Sequence, residues 1–78
     1  MTTLTCDFKE FKKSAHSYLA KLSNANDEEA DNGFKCLTLL YIGLKPESDI
    51  EVGLAARLLE TAGEKLTRHS AGLPLWDA

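Results

Sequence analysis

Two cysteines, Cys6 and Cys36, and two histidines, His16 and His69, are the thiol and imidazole groups of this 78-residue chain. A structural zinc site takes four such ligands, usually in close pairs, and here the cysteines stand thirty positions apart with neither histidine beside them. No metal is expected. Ser14 and Ser17 flank His16, but a nucleophile, its base and the group that orients the base normally converge from separate elements, and these three share one short stretch. The acids Asp27, Glu28, Glu29 and Asp31 are dense enough to suggest calcium or a carboxylate pair, yet they lack the glycine turn and spaced oxygens of a calcium loop. The glycines, at 33, 43, 53, 63 and 72, are scattered and form no phosphate-cradling loop. These residues predict a protein that is not an enzyme and carries no cofactor.

The elements that position these groups are helices. Thirteen Leu and nine Ala stand against three β-branched apolar residues, Ile42, Ile50 and Val52, a balance that disfavours strands. Turn-forming residues cluster at 23–26 (Ser-Asn-Ala-Asn) and 45–48 (Lys-Pro-Glu-Ser), dividing the chain into three segments. The reading is an all-α, three-helix bundle of a single domain, with helices at about 7–22, 27–43 and 49–69 and a C-terminal tail. Asp7 with Glu10, Asn26 with Glu29, and Ser48 with Glu51 have the spacing of helix-capping pairs. The first helix has an apolar seam of Leu4, Phe8, Phe11, Ala15, Tyr18 and Leu22, a one-sided helical stripe that no strand face reproduces. In the third, Val52, Ala55, Leu59, Ala62 and Leu66 form the main stripe, and Gly53, Ala56 and Gly63 a second stripe of small residues suited to close backbone approach.

Helix two carries the unusual pattern. From Phe34 to Leu44 its apolar arc spans about 220°, where a helix resting on a core needs little more than about 100°. That width predicts the most buried element of the three. Phe34, Leu37, Tyr41 and Leu44 suffice to meet two neighbouring helices, which leaves Cys36, Leu39, Leu40 and Gly43 as surplus. A surplus of this kind is an aggregation liability unless a second copy or another protein covers it, and Gly53 and Ala56 of helix three are placed to extend the contact. The competing cover is the tail from Leu73 to Trp76, folded back so that Trp76 is out of water.

The functional expectation is a small acidic interaction module, its partners a second copy of itself or a larger protein for which it serves as adaptor, chaperone-like subunit or inhibitor. Nine Lys and Arg against twelve Asp and Glu give a net charge of −3, which disfavours nucleic acid as a partner. A helix-turn-helix drawn through helices two and three would present Asp49, Glu51 and Glu60 with Arg57 as the cation of its first turns. The alternative is a small transcription regulator that touches nucleic acid through Lys9, Lys12 and Lys13 of helix one. The first residues do not resemble a secretory signal, no apolar run reaches membrane-spanning length, and two cysteines are too few to staple a secreted mini-protein, so a cytoplasmic location is expected.

Overall fold

Each helix starts where a side chain can satisfy its first free amides. In the computed structural model, which describes residues 5–76, the Asp7 carboxylate accepts the Glu10 N–H at 2.8 Å and opens α1, Phe8–Lys21. A 3-10 turn, Leu22–Asn24, ends that helix. Asn26 and Glu29 then form a complete capping box, each side chain taking the other's backbone N–H, and launch α2, Asp27–Ile42. The Ser48 hydroxyl accepts from the Glu51 N–H to begin α3, Asp49–Ser70. Here the return arm differs from a capping box, because Glu51 Oε1 accepts from Glu47 N–H instead of Ser48. The last turn of α3 closes on Gly72 at φ +72°, with Gly72 N–H bonded to His69 O and Leu73 N–H to Arg68 O. That left-handed cap is one that a side chain would strain. The chain is all-α, its three helices falling within a residue or two of the segments read from the sequence.

The stripe of α1 supplies the centre of the core. Phe11 and Ala15 have no exposed surface, and they pack with Leu37 of α2 and with Ala55 and Ala62 of α3. Phe11 also meets the Tyr41 ring at 5.9 Å with the planes 58° apart, a favourable tilted aromatic pair. Leu4, which the seam includes, lies outside the described residues. Before α1, the chain is held against the α2–α3 connection: Cys6 N–H donates to Gly43 O, Lys45 N–H donates to Cys6 O, and the Cys6 thiol donates to Leu40 O at 3.3 Å. Both cysteines are free, Cys6 buried and Cys36 exposed.

A smaller cluster forms at the other end, where Leu22, Ala30 and Leu75 are buried together and Leu66, Tyr18 and Ala25 pack around them. Leu75 belongs to the tail, so the tail does fold back, but the expectation about which residue leads it is corrected. Leu75 enters the gap while Trp76 stays 55% exposed with the Lys65 ammonium 4.3 Å from its ring. An ammonium over the ring face is a favourable cation–π contact that a half-exposed indole can make. Arg68 reaches over the tail to the Pro74 carbonyl, and the His69 ring N–H donates to Ala25 O at 2.8 Å, tying the end of α3 to the α1–α2 connection.

The Cα envelope measures 36 × 30 × 15 Å, roughly two helices deep in its thinnest direction. No helix can be surrounded in so thin a body. This overturns the expectation that α2 is the buried element: of its sixteen residues Ala30 and Leu37 are buried, whereas Cys36, Leu39 and Ile42 are exposed. The sector of Phe34, Leu37, Tyr41 and Leu44 does face the core.

Two weak acids, the buried Cys6 and the half-buried Tyr18, bear on the alkaline behaviour. Burial, then the Asp31 carboxylate, raises the Tyr18 phenol above its ordinary 10.0. The phenol donates to Ala30 O at 2.8 Å, a bond lost on ionisation. Burial, then Glu10 and Asp7, likewise raises the Cys6 thiol above 9.0. A pKa higher in the folded than in the unfolded chain stabilises the fold below the unfolded value, and that stabilisation is lost as the pH rises through the folded one. Urea midpoints are therefore expected to fall as the pH climbs past 9.0 and 10.0. Tyr18→Phe will be less stable near neutrality but will lose less of its stability in that window. An equal alkaline loss in Tyr18→Phe and the parent would contradict this assignment.

Candidate protein-interaction surface

The outward side of α2 follows from its register. With about 100° per residue, Leu39 and Ile42 lie about 160° and 140° from the buried Leu37, on either side of Lys35. Leu39 is 55% exposed and Ile42 74%. Ile42 shares a sector with Lys35 and Thr38, and its neighbours on the helical wheel were the sign that it faces water. Cys36 is exposed at the margin of this face, on the side of α1.

The other surplus residues separate. Leu40 is half-buried and packs on the core, where its carbonyl also receives the Cys6 thiol. Gly43 is half-buried as the C-cap of α2, its N–H on Leu39 O. Cys36 and Leu40 line a shallow cavity of about 420 Å³ between α1 and α2, together with Lys13, Ser17, Tyr18 and Gly33. At the floor of that cavity Gly33 has a strict steric role that its sequence context did not reveal. A Cβ there would lie 2.6 Å from the Tyr18 ring.

On α3, the side toward α2 is marked by Gly63, where an added Cβ would meet the Phe34 ring at 3.3 Å. Ala56 and Val52, seven and eleven positions earlier, fall on the same side of the helix, and both are exposed. Gly53 lies further round, with no atom within 4 Å of where its Cβ would be. The connection between α2 and α3 is short, so the two run antiparallel, and the Phe34–Gly63 contact brings Ile42 to the level of Ala55 and Ala56. Leu39 and Ile42 on α2 and Val52, Gly53 and Ala56 on α3 are all exposed, with Lys35 between the first two, and together they are the candidate interface. Trp76 is at the opposite end of the bundle, beside Lys65, and is not part of it.

No protein-family model matches the chain, and no curated protein or solved structure matches it. The chemistry of the surface must therefore speak for itself. Among the described residues no group of three or more His, Cys, Asp or Glu side chains could hold a metal ion, and no helix is long and apolar enough to cross a membrane. Asp27, Glu28 and Glu29 occupy the first turn of α2, where the helix dipole favours them. His16 stands exposed on α1, and Ser14 and Ser17 are turned to the cavity on the α2 side. Lys9, Lys12 and Lys13 are exposed on α1.

Proposed function

We propose that this protein is a protein-interaction module whose binding surface is the outer face of α2 extended by α3, and that its first partner is a second copy of itself. The observation that carries the reading is where the tail goes. The tail is the segment of this chain best able to cover the outer face of α2, and its apolar anchor Leu75 is buried against Leu22 and against Ala30 in the first turn of α2, not against Leu39 or Ile42. Leu39 and Ile42 are left 55% and 74% exposed. An apolar helix face of this kind is buried most economically by a two-fold contact, in which the same patch covers its own copy. Gly53 and Ala56 beside it permit close helix approach, as small residues do wherever backbones pack tightly. A module of this kind acts by occupancy, as an adaptor, a chaperone-like subunit or an inhibitor of a larger partner in the cytoplasm, and needs no reacting group.

The test is the mass in solution. Sedimentation equilibrium is expected to give twice the 8.6 kDa of the single chain. The pair Leu39→Asp and Ile42→Asp is expected to return it to one chain with unchanged helical circular dichroism, because both side chains lie off the core. Leu40→Asp is a poorer probe, since Leu40 also packs on the core. A single-chain mass for the parent at every concentration would refute self-association.

A further inference from the structure

We propose that the groove between α1 and α3 is a second docking site, built for an acidic amphipathic segment of a partner protein. Phe8 of α1 and Leu54 and Leu58 of α3 form its apolar lining, and Leu54 is 47% exposed. Lys12 and His16 from α1 and Arg57 from α3 stand around it. Among the described residues, the stretch of groove around Leu54 is lined by Lys12 and Arg57 and by no carboxylate, although the chain as a whole carries a net charge of −3; beyond Phe8, Asp7, Glu47 and Glu51 line the adjoining cavity. Lys12 and Arg57 therefore make a local reversal of the protein's overall sign beside an apolar slot.

Size and chemistry select the occupant. The slot holds about 210 Å³, below the roughly 300–1,000 Å³ of pockets that enclose a small molecule. It is open along the helices and suits the apolar side chains of a peptide laid into a helix–helix groove, with carboxylates a turn away reaching the rim. A phosphate backbone would satisfy Lys12 and Arg57 but leave Leu54 without an apolar partner, whereas an acidic amphipathic helix satisfies both. Leu54 and Arg57 line the side of α3 that faces α1, whereas Leu39 and Ile42 belong to α2, so the substitutions that test self-association lie outside this groove.

Fluorescence anisotropy with a labelled synthetic peptide of about 14 residues, leucines at i, i+3, i+4 and i+7 and glutamates between them, tests the assignment. Binding is expected at about 50 mM salt and should weaken at least about tenfold at about 500 mM. Leu54→Ser and Arg57→Glu should each weaken it at least about tenfold with helical content unchanged. The Leu39→Asp, Ile42→Asp protein should bind as the parent does, and a peptide with lysine in place of glutamate should not bind. Absence of binding at low salt overturns the proposal. So does loss with Arg57→Glu but not with Leu54→Ser, or tighter binding of a single-stranded oligonucleotide of equal charge.

Discussion

Phe11→Ala is expected to cost this protein about a third or more of its stability. Phe11 has no exposed surface, sits where all three helices meet and pairs with the Tyr41 ring. Truncating a buried phenylalanine costs about 3–5 kcal/mol, because transfer energy is lost and the cavity closes only in part. A 78-residue domain has a total stability of roughly 4–12 kcal/mol. The substitution thus removes a large share of the whole. Thermal unfolding followed by helical circular dichroism should show the midpoint lowered by more than about 12 °C. Ile50→Ala, at a side chain 74% exposed, should change stability by no more than about 0.5 kcal/mol. A Phe11→Ala protein that unfolds within a few degrees of the parent would mean that the three helices do not converge on this ring.

Gly33→Ala and Gly53→Ala are the same chemical change in two helices and are expected to have opposite signs. In an open helix site, replacing Gly by Ala gains about 0.4–1 kcal/mol through the unfolded chain's lost freedom. Gly53 is such a site, with nothing within 4 Å of the new methyl. At Gly33 the methyl would lie 2.6 and 2.7 Å from two Tyr18 ring carbons. That ring cannot simply swing aside, because its hydroxyl is bonded to Ala30 O. Overpacking of this sort costs about 1–3 kcal/mol, which exceeds the propensity gain, so Gly33→Ala is expected to destabilise by about 1–2 kcal/mol. Urea midpoints measured in the Leu39→Asp, Ile42→Asp background keep self-association out of the comparison. Tyr18→Phe releases the ring from its tether, and in that background the penalty at Gly33 should shrink, a coupling that a double-mutant cycle reads directly. Equal and positive effects at the two glycines would contradict the Tyr18 contact.

For function, the same thinness that makes Phe11 indispensable leaves apolar side chains on two separate faces. Leu39 and Ile42 on one side and Leu54 on the other are too exposed to hold the fold together, so substitutions there report on association more than on stability. This separation makes the solution-mass and peptide-binding experiments independent of each other.

What could be read from the chain alone was whatever is local. Asp7, Asn26 and Ser48 begin helices because each offers an oxygen to an amide three residues on, and the stripe through Phe11, Ala15 and Leu22 is a property of one helix. The wide apolar arc of α2 was visible too, but its meaning was not. An arc records which side chains dislike water and says nothing about how many neighbours a helix will have. A three-helix body roughly two layers deep covers one side of α2 and leaves Leu39 and Ile42 outside. The tail's destination, with Leu75 rather than Trp76 as its anchor, depended on a gap formed by Leu22 and Ala30 from different segments. Gly33 became indispensable through a ring fifteen residues earlier in the chain. Each of these was decided by which surfaces meet in three dimensions, because burial and steric exclusion belong to pairs of elements and not to either one alone.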